Sequence, residues 1–73
     1  MLKPTESEII FIVEDAPEGG YTARAAGESI FTEAETMDEL RTNIRNAVEV
    51  HFENGNGPKL IRLHYIKDEI IPV

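Results

Sequence analysis

Four carboxylates crowd positions 33 to 39: Glu33, Glu35, Asp38 and Glu39. Paired carboxylates can hold a divalent cation for phosphodiester cleavage, provided they converge in a pocket. Asp38 and Glu39 also have an ordinary reason to be there, because acidic side chains suit the positive end of a helix dipole. His51 and His64 are the only histidines, and cysteine is absent. Metal ligands come in clusters of three or four, so neither histidine is expected to act as a ligand. His51 falls within a stripe of apolar residues and reads as a core or interface residue, and His64 as a packing residue in a strand. Gly19-Gly20 matches neither the dinucleotide fingerprint nor the phosphate-loop pattern and lies between two strands. No Ser-His-Asp or Cys-His set can be assembled. Neither catalysis, nor a metal, nor a cofactor is therefore expected.

The elements that position these residues follow from turn signals and periodicity. Glu8 to Glu14 reads as a strand with Ile9, Phe11 and Val13 on one face and Ile10 and Ile12 on the other. A half-buried strand alternates apolar with polar residues, whereas this one is apolar on both faces. Asp15 to Gly20 is a turn, with Pro17 presetting φ and glycines admitting φ > 0. Tyr21 to Ala26 forms the second arm of a hairpin, and its alanines leave room for something bulky. Ser29 to Ala34 reads as a third strand closing an antiparallel meander. Thr36-Met37-Asp38-Glu39 is a capping box, after which Met37, Leu40, Ile44, Ala47, Val48 and Phe52 keep helical spacing. Val50 falls off that stripe. Asn54 to Pro58 stops the helix. Lys59 to Ile66 is a last strand, after which the chain either turns back at Lys67-Asp68-Glu69 or runs on.

The expected architecture is α+β: a two-layer β-β-β-α-β domain, with an antiparallel sheet packed on one amphipathic helix. With 73 residues, a single domain spanning 1–73 is the reasonable count. Such a domain buries only ~60% of the surface of its unfolded chain. Small scaffolds compensate with disulfides, metals or oligomerisation, and without cysteine the last remains. A twofold homodimer or higher even oligomer is expected. Its candidate interface residues are Ile10, Ile12 and Ile30 on the uncovered sheet face, Val50 on the helix, and Ile70 and Ile71 beyond the last strand.

Fourteen Asp and Glu against seven Lys and Arg give a net charge of −7. Phosphate-backbone binding is driven by cations releasing condensed counterions, so no direct nucleic-acid partner is expected. The charge suits solubility or steering towards a basic partner. Residues 1–5 lack a signal-peptide core, and the longest apolar run, Ile9 to Val13, is far too short for a membrane span. A soluble, cytoplasmic protein without membrane contact is the expectation.

Three stretches resemble the HicB-like family, the antitoxin half of HicA–HicB toxin–antitoxin pairs. The first is the apolar strand running into Glu14-Asp15-Ala16-Pro17-Glu18-Gly19-Gly20-Tyr21-Thr22-Ala23. The second is the Ala26-Gly27 break followed by Phe31-Thr32-Glu33-Ala34. The third, Glu35-Thr36-Met37-Asp38-Glu39-Leu40, is similar to the family's Gly-Asp-Thr-Leu-Glu-Glu-Ala helix start, and Asn43 to Glu49 continues the likeness. The resemblance covers roughly residues 8–53. Ala34 departs from the family's usual glycine. The DNA-binding appendage common in full-length members has no counterpart in the fifteen residues after Pro58.

The resemblance implies a protein that binds a small basic RNA-cleaving toxin and blocks its active site. Net charge together with that likeness nominates Asp15, Glu33, Glu35 and Asp38 as the partner-binding surface; no family motif assigns them that role. The alternative reading is a stand-alone dimeric regulatory or ligand-binding module. Less favoured is a metal-dependent nuclease using His51 or His64.

Overall fold

The computed structural model describes residues 7–73. Residues 1–5, read above as lacking a signal-peptide core, lie outside the described residues. The elements run β1 (Glu8–Asp15), β2 (Tyr21–Ala25), β3 (Phe31–Ala34), α1 (Met37–His51), a short 3₁₀ turn (Glu53–Gly55) and β4 (Leu60–Ile66). The fold is α+β, in the β-β-β-α-β order anticipated. No helix among the described residues is long and apolar enough to cross a membrane.

The hairpin between β1 and β2 forms because Pro17 and two glycines close the chain tightly. Gly19 donates its N–H to Ala16 O at 3.1 Å, and Ala16 donates to Gly20 O at 3.0 Å. Gly20 has φ +80°, and a Cβ there would sit 2.6 Å from Ala34 O. The hairpin and the end of β3 therefore approach as closely as only glycine permits.

The strand order is β3-β2-β1-β4. The first three strands pair antiparallel, as expected, with Val13 opposite Ala23 and Ala23 opposite Thr32. The fourth departs from the expected all-antiparallel sheet. It lies on the far side of β1 and pairs parallel to it, Phe11 level with Leu63 and Val13 with Tyr65. The helix is the reason: α1 carries the chain back to the starting end of the sheet, so β4 must run in the direction of β3 and β1. Parallel pairing needs such a crossover of a dozen or more residues.

Residue parity sorts the sheet into two faces. Ile9, Phe11, Val13, Ala23 and Ala25 face the helix and are buried with Ile30, Leu40, Ile44 and Val48 in a single core. The alanines of β2 let α1 settle close to the sheet. The predicted apolar stripe is the face α1 buries, with Met37, Ala47 and Phe52 partly covered at its margins. Ile30, assigned above to the uncovered face, is instead in this core. β3 begins one residue later than the apolar run does, so Ile30 turns inward from the preceding loop, and Phe31, 62% exposed, takes the outer face opposite Arg24.

Helix α1 starts as the sequence indicates, with one difference. Thr36 Oγ1 accepts from the Glu39 N–H at 3.1 Å. The Glu39 carboxylate reaches past Thr36 and accepts from the Glu35 N–H at 3.3 Å. The helix lies over β2 and β3 and leaves the helix-side residues of β4 half open. Beyond Ile66 the chain neither turns back nor continues the strand. Residues 67–73 run unpaired, with Ile70 91% and Ile71 73% exposed.

Candidate interaction surfaces at the acidic end and open face

One end of the molecule collects most of the acidic residues. The ends of β1, β3 and β4, the first hairpin and the start of α1 all meet there, because Asp15 pairs with Tyr21 and Tyr21 with Ala34. Glu14, Asp15, Glu18, Glu33, Glu35, Asp38, Glu39, Asp68 and Glu69 belong to these segments. The four nominated residues are thus brought to one end, in different states. Glu33 and Glu35 line a shared shallow concavity of about 360 Å³, with Glu18 and Tyr21 among its walls. Asn43 secures its floor by donating from Nδ2 to Glu33 O at 3.2 Å, which ties β3 to α1.

Asp38 is almost fully exposed and pairs with Arg41 at 2.9 Å, one helical turn on. Such an exposed pair holds little energy and is readily given up to a partner. Asp15 is engaged within the fold. Its carboxylate accepts from Tyr65 Oη at 2.7 Å and lies 3.5 Å from Lys67 Nζ. These contacts, the tyrosine hydrogen bond foremost, hold the Asp15 carboxyl below its usual range. The same bond pushes the Tyr65 phenol up to about 12. Tyr65 meets Tyr21 edge to face at 6.2 Å between ring centroids. Asp15 therefore fastens the end of β4 to the hairpin, and Tyr21, Tyr65 and Lys67 join the acidic end as residues the sequence reading missed. Their only advance signal was register: two tyrosines at facing ends of β2 and β4.

The sheet face turned away from the helix has no covering layer among the described residues. Its rows run across the strands. Ala26, Ile10 and Arg62 form one, Phe31, Arg24, Ile12 and His64 the next, and Glu33, Thr22, Glu14 and Ile66 the third. Ile10 and Ile12 lie at its middle, half-buried by longer neighbours. Arg62 is gripped by Glu8 through two hydrogen bonds, at 2.9 and 3.2 Å. That fork lowers the Glu8 pKa and raises that of Arg62.

The histidines are separated. His64 sits on the open face level with Ile12. Of the two places its position in the apolar stripe suggested, core or interface, His51 does not take the core: it is exposed at the end of α1. Its ring packs edge-on against Phe52, and its Nε2 lies 3.1 Å from Glu28 Oε1. The contact ties the helix end to the loop before β3. Among the described residues, no three His, Asp or Glu side chains converge where a metal ion could sit. Val50, 71% exposed, flanks a separate shallow hollow with Phe31 and Ala47.

The chain has relatives of similar length. The chain is 39% identical over 69 residues to a UPF0150 protein of Thermotoga maritima, covering 94% of this chain and 97% of that one. It is 54% identical over 52 residues to a UPF0150 protein of Archaeoglobus fulgidus, covering 71% and 77% respectively. The chain belongs to the UPF0150 family. No family model matches it, and no solved structure matches it.

Proposed function

We propose that this chain is a non-catalytic, self-associating protein-binding domain of the cytoplasm. In this reading it works as a HicB-like antitoxin, using its acidic end to occupy the active site of a small basic RNA-cleaving protein. The observation that carries it is the collection of carboxylates at one end of the sheet, where Glu33 and Glu35 share a concavity. Charge complementarity of this kind speeds encounter and selects the partner. The likeness of residues 8–53 to the HicB-like pattern supplies the partner's class.

Self-association uses the open sheet face. In a twofold packing whose axis runs across the strands between the rows of Ile10 and Ile12, Ile10 of each copy meets Ile12 of the other between the two sheets. Such an isologous contact is the commonest way for small domains to close an assembly.

The test is titration of the purified chain with the product of the adjacent gene, which this reading expects to be small and basic, by calorimetry at low and physiological salt. A complex is expected, weakened at least tenfold in Glu33→Lys/Glu35→Lys and weakened further by salt. Failure to form any complex, or no loss in the double variant, sinks the antitoxin reading. RNA cleavage by the purified chain, abolished in His64→Ala, would replace it with the nuclease reading.

A further inference from the structure

The groove between α1 and β4 is an apolar hollow bordered by arginines. α1 is displaced towards β3, so the helix-side residues of β4 are left without a roof. Arg41, Ile44, Arg45, Ile61 and Leu63 line a cleft of about 280 Å³. Its floor is aliphatic, and both rim cations project from the helix. Arg45 forms no ion pair among the described residues, and Arg41 has only the exposed Asp38 beside it. Elsewhere in the same chain is a segment of matching pattern. Asp68-Glu69-Ile70-Ile71-Pro72-Val73 carries two carboxylates and then two isoleucines, held unpaired and open to water.

We propose that this segment is an exchanged arm: Asp68–Val73 of one copy crosses the β4 edge of a second copy and seats Ile70 and Ile71 in that copy's groove between α1 and β4. Asp68 and Glu69 then lie at the mouth of the groove, towards the Arg45 rim. The proposal rests on the self-association reading and gives that assembly its second contact.

Reach decides between copies. The arm leaves β4 after Ile66, while Ile61 lies five residues back along the same strand, about 16 Å away at 3.3 Å per residue. A reversal at Lys67-Asp68-Glu69 would set Ile70 and Ile71 beside Ile66 and Tyr65, short of the arm's own groove. In the face-to-face packing the two β4 edges lie one above the other and run in opposite directions. The end of β4 in one copy is then beside the start of β4, and so Ile61, in the other. Packed sheets stand about 10 Å apart, and three extended residues span about that distance. Lys67 to Glu69 is the length of bridge required. Pro72, which cannot donate to a ladder, stops the arm from adding to the edge as a longer strand.

The test exploits the absence of cysteine in the chain. Ile71→Cys and Ile61→Cys variants are prepared separately, mixed, allowed to exchange and oxidised mildly. A cross-linked dimer containing one of each is expected as the main product. In a chain carrying both substitutions, the bond is expected between chains and not within one. Independently, Ile70→Ser/Ile71→Ser is expected to weaken dimerisation in sedimentation equilibrium by about a hundredfold. These side chains are largely exposed in the single chain and lie outside its core, so circular dichroism should be unchanged. A wild-type monomer at micromolar concentration overturns both the arm and the self-association reading. A dimer equally tight in the double serine variant, or a cross-link closing within one chain, overturns the arm alone and leaves the sheet-face dimer standing.

Discussion

Replacing Leu40 with alanine tests whether α1 holds to the sheet as described. Leu40 has no exposed surface and lies in the core cluster with Phe11, Val13 and Ile44. Removing its isobutyl group forfeits the transfer energy of the lost carbons and leaves a cavity that a small domain closes only in part. Together these cost about 2–5 kcal/mol. A chain of 73 residues has a total stability of about 4–11 kcal/mol at typical values per residue. The substitution therefore removes a large fraction of it. With a urea dependence of about 1–1.5 kcal/mol per molar, a loss of about 3 kcal/mol lowers the unfolding midpoint by about 2–3 M.

The control is Val50→Ala, ten residues along the same helix and 71% exposed. Outside an interface it changes stability by no more than about 0.5 kcal/mol. The assay is urea unfolding followed by circular dichroism at one fixed protein concentration. A Leu40→Ala cost below about 1 kcal/mol, or equal costs at both positions, would refute the packing described. A Val50→Ala effect that grows with protein concentration would mark Val50 as an interface residue.

Gly20→Ala is expected to destabilise by about 1–3 kcal/mol, because φ is +80° and the new methyl would meet Ala34 O; thermal unfolding reads this directly. Thr36→Ala removes the side-chain acceptor for the Glu39 N–H and is expected to cost about 1 kcal/mol in the same assay. Tyr65 gives an alkaline signature. Its folded pKa is raised to about 12, so its contribution is complete below the ordinary value near 10 and is lost between about 10 and 12. Ultraviolet titration should show Tyr65 ionising late, and Asp15→Asn should bring it forward. Asp15 gives the opposite limb: its folded pKa is depressed, so its contribution holds above its usual value and is lost as acid protonates it below about 4.

Local chemistry was legible in the sequence, and distance was not. The apolar spacing from Met37 to Phe52 identified the buried face of α1, since a helix repeats every 3.6 residues whatever it packs against. Pro17, Gly19 and Gly20 marked the first hairpin for the same local reason. The parallel partner of β1 could not be read, because nothing in Leu60 to Ile66 records which strand it will meet. Ile30 was misassigned because the inward face of the third strand is set by its pairing with β2, Phe31 opposite the outward Arg24, and nothing within residues 29–34 records that register. Asp15 was nominated for its charge, but its tie to Tyr65 spans 50 positions and is written in no local pattern. Glu33 and Glu35 fall beside one concavity because they lie in and just after a strand whose register the meander itself dictates.

Each residue of β1 from Glu8 to Glu14 pairs with the one 52 positions further along the chain, as Glu8 does with Leu60. This has a kinetic consequence. The meander and helix can assemble from near neighbours as they leave the ribosome, but β1 keeps a bare edge until β4 has been made. Loop-closure entropy makes so distant a pairing slow. During that interval the most apolar strand of the protein presents unpaired N–H and C=O groups, which template aggregation. Nascent chains stalled before Leu60 should thus be the aggregation-prone species, and burial of the β1 edge the last step of folding.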